Sequence, residues 1–272
     1  MTDNMREALW YEKLSAARVR CELCPHRCVL ADGKRGRCRA RVNAGGVMYA
    51  DGYGQITALA LDPIEKKPLY RFHPGSMILS LGGAGCNMSC PFCQNHHLSA
   101  AVPPYRAMLP EQIAELAGEL TPQGNIGVAY TYNEPLINYE YLLDTAAKVH
   151  AAGLKNVAVT NGLINTAPLL KLLPHLDAMN IDLKCFSAES YRKLGGDWQA
   201  VKEVIALSAG HCHVEVTTLI IPGFNDKPED MRAQCSWLAD AIGDWIPLHL
   251  SRFFPRHLMS GGHPTALDTL QD

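Results

Sequence analysis

The chain is 272 residues long, 47% hydrophobic and 19% charged, with a formal net charge of −2. This is a globular composition, which excludes disorder as the default and leaves room for one large domain, or one with a small appendage. The near-neutral charge excludes a general pull toward nucleic acid or anionic membrane, the first residues lack a signal-type apolar stretch, and no apolar run approaches the roughly 20 residues a bilayer demands, so a soluble cytoplasmic protein is expected.

Residues 1–74 differ from the rest. They carry Cys21-x2-Cys24-x3-Cys28-x9-Cys38, a basic stretch (Lys34, Arg35, Arg37, Arg39, Arg41) and short strand-like pieces at 47–50 and 55–61. We read them as a small Cys-bearing N-terminal lobe, ending in a Pro- and Lys-rich segment at 62–68. From residue 75, apolar runs at 77–81, 126–131, 156–160, 178–183, 213–221 and 247–253 predict strands. Between most of them lie amphipathic stretches at 110–120, 137–152, 167–173, 198–209 and 227–242. Within 137–152, Leu142, Leu143, Ala146, Ala147 and Val149 recur near helical spacing. Asn165-Thr166 and Asn225-Asp226 are expected helix starts, and Gly153 a stop. Alternating strand and helix predicts an α/β fold with a parallel sheet. Six strands over 75–272 predict a partial (β/α)6 barrel of TIM type.

Seven of the ten cysteines fall in two clusters. In a chain without a secretion signal, such clusters point to metal sites rather than a disulfide framework. The second cluster, Cys86-x3-Cys90-x2-Cys93, follows the first barrel strand through Gly82-Gly83-Ala84-Gly85. Loops after strand C-termini are where parallel α/β folds build their sites. Three thiolates can hold three irons of a cubane and leave the fourth iron open to a ligand. The competing reading is a closed structural zinc site with His96 or His97 as fourth ligand. The four-thiol set at 21–38 matches tetrahedral zinc or a second cubane, within a metal-stapled lobe whose arginines are solvated. The same features admit a non-enzymatic zinc-binding module that recognises nucleic acid, although five basic residues are not a specific signal for one.

The triplet spacing, with Phe92 before its last cysteine and a strand ahead of it, resembles the signature of radical S-adenosylmethionine (radical SAM) enzymes. Motifs at 21–28, 62–69, 85–95, 129–135 and 249–255 resemble, in order, those of the radical SAM component of the AmmeMemoRadiSam system. That family is similar to pyruvate formate-lyase activating enzymes. The resemblance implies a 4Fe–4S cluster on Cys86, Cys90 and Cys93. It also implies reductive cleavage of S-adenosylmethionine (SAM) to methionine and a 5′-deoxyadenosyl radical that abstracts hydrogen from a substrate, such as a glycyl residue of a partner protein. An electron donor such as flavodoxin or ferredoxin is implied with it. Family members continue through a further helix, so a chain ending at Asp272 is expected to be truncated.

The same resemblance assigns SAM contacts to Phe92, Gln94, Asn133, Glu134, Asn161, Asp182 and Lys184. Relatives carry Gly-Gly-Glu where this chain has Tyr132-Asn133-Glu134. Four of these positions also have a structural reading. Glu134 serves as a solvated loop carboxylate before Pro135, and Asn161-Gly162 as a turn. Asp182 and Lys184, two apart and so on one side of a strand, serve as an ion pair. Glu215 and Thr217 share one side of the fifth strand. Arg252, after the sixth, either meets an acidic substrate group or pairs on the rim.

Overall fold

The computed structural model describes residues 6–99, 101 and 103–271. Its main sheet has seven strands: β1 (Ala58–Pro63), β2 (Met77–Gly82), β3 (Asn125–Tyr130), β4 (Lys155–Thr160), β5 (Ala178–Asp182), β6 (His213–Ile220) and β7 (Leu248–Arg252). They lie side by side in chain order, parallel throughout except that β1 pairs antiparallel with β2. The six parallel strands are the six predicted from the apolar runs, and they build the expected partial barrel.

Helices α1 (Pro110–Glu119), α2 (Tyr139–Ala151), α3 (Thr166–Leu172), α4 (Ala188–Lys193), α5 (Trp198–Ala209) and α6 (Pro228–Ala241) fill the crossovers. Their apolar faces bury Ile113, Leu142, Ala146, Val149, Leu169, Val201, Ile205 and Leu238 against the outer side of the sheet. Each fully buried Leu, Ile or Val contributes about 1.5–3 kcal/mol relative to exposure. One expected boundary moves. α6 starts at Pro228, with Lys227 at its cap, while Asn225 holds a turn by donating from Nδ2 to Lys184 O and Leu219 O. Helix α2 ends as expected, with Gly153 just beyond it at φ 75°.

Before β1 the chain forms two small antiparallel sheets, one from Arg6–Glu7, Val47–Ala50 and Arg41–Ala44, the other from Tyr11–Lys13, Val19–Cys21 and Val29–Leu30. The strand expected at 55–61 is broken at Thr57. Its first part, Gln55–Ile56, pairs with Arg106–Ala107, and its second is β1. Thr57 Oγ1 donates to the Gly82 and Gly83 carbonyls and pins the break. The main sheet therefore begins before residue 75. Of the five basic residues, Lys34, Arg35, Arg37 and Arg39 are exposed, but Arg41 is 1% exposed and corrects the reading of solvated arginines. It pairs with Glu140 at 2.8 Å, on helix α2, a partner 99 residues away.

The segment after β1 closes the barrel at the N-terminal ends of its strands. Ile64 and Leu69, with Phe72, pack against Ile78, Ala129, Val157 and Ala178. Buried polar groups in the lumen hold it there. Glu215 accepts from the backbone N–H of Tyr70 (3.0 Å) and Arg71 (2.8 Å), and Asn180 Nδ2 donates to Pro68 O (2.9 Å). Glu215 also bonds the Nε2 atoms of His213 (2.8 Å) and His249 (2.5 Å). Burial alone would raise the Glu215 carboxyl. The bonds from His213, His249, Arg71 and Tyr70 outweigh it and hold the group well below the usual carboxylate range.

A depressed folded-state pKa contributes stability that is complete above the unfolded value, about 4.5, and lost as pH falls below it. The thermal midpoint of the wild type should therefore fall through that acid window, and Glu215→Gln should flatten the fall while lowering the midpoint at pH 7. Parallel curves for the two proteins would remove Glu215 from this role.

Candidate active site

The loop from Gly83 to Asn95 leaves the C-terminal end of β2 and carries the cysteine triplet. Gly85 opens it at φ 93°, with its α-carbon against the Cys38 carbonyl, where a Cβ would collide. Cys86, Cys90 and Cys93 all line one cavity of about 280 Å³, open to the C-terminal ends of the strands. Phe92, Gln94, Asn133, Glu134, Asn161, Asp182 and Lys184 line the same cavity. The structure thus brings together every residue singled out from the sequence for the triplet and for SAM. Met88, Asn95, Ser99, Thr131, Tyr132 and Thr217 join them.

The polar groups are arranged by strand ends. Lys184 Nζ donates to Asp182 Oδ2 at 2.7 Å. Burial alone would depress the ammonium, but Asp182 and the neighbouring Cys90 sulfur raise it above its ordinary value, so it stays charged. Glu134 is 3% exposed, which overturns the solvated-loop reading. Its Oε1 accepts from Leu136 N (3.0 Å) and Thr160 Oγ1 (2.7 Å), and its Oε2 from Asn161 N (2.8 Å). The side chain ties the end of β3 to that of β4. Burial raises its carboxyl to about 7 against those three hydrogen bonds.

Asn133 and Asn161 brace the triplet loop. Asn133 Oδ1 accepts from Gly83 N and its Nδ2 donates to Gly85 O. Asn161 Nδ2 donates to Asn87 Oδ1 at 2.9 Å and approaches Cys86 Sγ at 3.6 Å. Phe92 is buried and packs on Phe224, their centroids 6.0 Å apart. Burial pushes the thiols of Cys86 and Cys90 up, to about 12 and about 11. Metal loading must therefore displace protons there.

His96 and His97, the candidate fourth zinc ligands, are not among the cavity's lining residues. His96 instead stacks on His257 at 4.4 Å. Arg252 is also outside the lining. Its Nε donates to Thr265 O, and its guanidinium lies over Phe254.

Residues 81–235 match the model of the radical SAM superfamily. The chain belongs to the radical SAM superfamily. An uncharacterized protein of Methanocaldococcus jannaschii is 43% identical over 272 residues, covering 98% of this chain and 80% of that protein. GTP 3′,8-cyclase of Lactiplantibacillus plantarum is 29% identical over 149 residues, 52% of this chain but only 44% of that enzyme. Among solved structures, methylornithine synthase superposes with a TM-score of 0.50 at 19% identity, over 67% of this chain and 55% of that one. At that identity the likeness is one of fold.

Radical SAM chemistry implies a 4Fe–4S cluster and SAM, and the donor set fits both. Three thiols from one loop face a cavity wide enough for more than one metal ion, and cysteine is the usual ligand type of such clusters. A lysine already charged and two carboxylates surround the remaining space, matching the zwitterionic methionyl end of SAM. The apolar wall from Met88, Phe92 and Leu219 suits its adenosyl part. Among the described residues, no helix is long and apolar enough to cross a membrane.

Sequence reasoning missed Tyr132 as a structural centre. Its backbone is left-handed at φ 69°, rare for an aromatic residue, and its hydroxyl donates to Asp62 Oδ2 at 2.7 Å. Asp62 also takes Nζ of buried Lys67 at 2.9 Å, and Lys67 sits 4.9 Å from the Tyr132 ring centroid. The signal was present as two motifs, 62–69 and 129–135, without a hint that they touch. Asn87, directly after Cys86, was also missed as the partner of Asn161.

Proposed function

We propose that this chain is the radical SAM component of an AmmeMemoRadiSam-type system, acting on a glycyl residue of a partner protein. The observation that carries the reading is the convergence of Cys86, Cys90, Cys93, Glu134, Asp182 and Lys184 on one cavity. A 4Fe–4S cluster bound there would supply the electron that splits SAM into methionine and a 5′-deoxyadenosyl radical, which abstracts hydrogen from the substrate.

The chain's own contribution is binding, orientation and exclusion of water. Cys86, Cys90 and Cys93 hold three corners of the cluster. The Lys184 ammonium, kept charged by Asp182, faces the methionyl carboxylate. Asp182, with the carboxyl oxygens of Glu134 behind it, would offer acceptors to the methionyl amine. Phe92 and Gln94 flank the adenosyl part, and Asn133 and Asn161 fix the loop that carries the thiols. A one-electron carrier such as flavodoxin or ferredoxin delivers the electron. The glycyl substrate rests on the similarity of the AmmeMemoRadiSam family to activating enzymes rather than on the cavity itself.

The test is isotopic. A candidate partner protein made with α-deuterated glycine is mixed with the reduced enzyme and SAM. Deuterium in the 5′-deoxyadenosine supports a glycyl substrate. Nucleoside formed without deuterium from any partner overturns that substrate and leaves the cleavage chemistry standing.

A further inference from the structure

We propose that Cys21, Cys24, Cys28 and Cys38 bind a single zinc ion as a tetrathiolate, and that the unpaired donors of buried Arg41 hydrogen-bond its sulfurs. The four cysteines line one small cavity together with Arg41, His26, Asn87 and Ile137. None is in a disulfide. Four thiolates around a divalent ion leave a net charge of −2, which is costly in a buried site unless its sulfurs are hydrogen-bonded.

Arg41 brings hydrogen-bond donors to such a site, its charge already balanced by Glu140. Arg41 Nη1 is used by Glu140, but its Nε and Nη2 are buried without a hydrogen-bond partner. Buried guanidinium donors left unpaired are costly, and they lie in the wall that the four sulfurs share. Thiolate sulfurs of a metal centre are the acceptors this pair of donors lacks.

The available space favours a single ion. The cavity among these thiols is about 10 Å³, against about 280 Å³ at the triplet. As the side chains stand, only the latter has open room for a cluster. Among the described residues, no three His, Cys, Asp or Glu side chains stand at single-ion distances, so the thiols must draw together on binding. That movement makes binding energy part of the folding energy of the lobe.

The site also touches the triplet loop. Gly85 packs against the Cys38 carbonyl, and His26 Nε2 bonds Asn87 O at 2.7 Å. A closed zinc site would therefore buttress the loop that carries Cys86.

X-ray absorption at the zinc edge of the purified full-length protein tests the proposal. The expected result is one zinc per chain with four sulfur neighbours at about 2.3 Å. Zinc with nitrogen or oxygen neighbours overturns it. So does absence of zinc, or iron and sulfide beyond one cluster that disappear in Cys24→Ser/Cys38→Ser.

Arg41→Lys keeps a cation for Glu140 but removes the planar donors. Its zinc should pass to a chromophoric chelator about 10- to 100-fold faster than that of the wild type, the usual consequence of losing a group that bonds metal ligands. An unchanged rate would exclude Arg41 from the site.

Discussion

Cys86→Ala, Cys90→Ala and Cys93→Ala are each expected to reduce SAM cleavage to background and to remove most of one cluster's iron. Each thiol stands at a separate position on one loop, and a cubane corner that loses its thiolate keeps no anionic protein ligand. Among the described residues, the cavity lining holds no further cysteine and no histidine. His96 and His97 lie outside the cavity lining, and Asn161 approaches Cys86 Sγ only as a donor. The substitutions should leave the fold intact. None of these sulfurs forms a disulfide, and all three line the cavity at the strand ends. Iron and sulfide analysis, with circular dichroism to check the fold, reads the result. Full cleavage by any one variant would show that its thiol is not a cluster ligand.

The second large effect concerns Lys184. Lys184→Met keeps most of the apolar stem but removes the ammonium that Asp182 holds at 2.7 Å. SAM affinity should drop about ten- to hundred-fold, the worth of one charge-assisted hydrogen bond, while iron content stays near wild type. Equilibrium binding to the cluster-loaded, unreduced protein measures it. Unchanged affinity would leave the pair as a structural ion pair.

Glu134→Gln behaves differently. Both carboxylate oxygens already accept protein donors, and an amide NH₂ in place of one oxygen would confront Asn161 N or Thr160 Oγ1. Thermal stability and SAM affinity should fall together, and loss of affinity alone would be evidence against a bracing role.

The contrast between these residues explains what could be read in advance. Five of the six parallel strands are buried on both faces, so each appears as a continuous apolar run bounded by turn residues, whereas the edge strand β7 is only partly buried. The triplet is local in sequence, and strand-to-loop order alone brings it to the C-terminal rim beside Glu134, Asp182 and Lys184. Strand β1 was legible as part of the strand at 55–61, but it was assigned to the N-terminal lobe because its place in the main sheet depends on antiparallel pairing with β2, which no local pattern encodes. Arg41 looked like one of five surface cations. Its burial depends on Glu140, and the Asp62–Tyr132 bond likewise joins groups 70 residues apart. Helix α6 starts later than Asn225-Asp226 suggested because the Asn225 side chain is spent on the carbonyls of Lys184 and Leu219.

These particulars rest on one central claim, that the triplet holds a 4Fe–4S cluster with an iron open to SAM. The most direct measurement is single-turnover SAM cleavage by the anaerobically reconstituted, dithionite-reduced protein, with iron and sulfide counted in the same sample. The account predicts about four irons and four sulfides at the triplet, with 5′-deoxyadenosine and methionine released in equal amounts. A triplet loaded with zinc and free of sulfide, or a reduced cluster that leaves SAM intact, would contradict it.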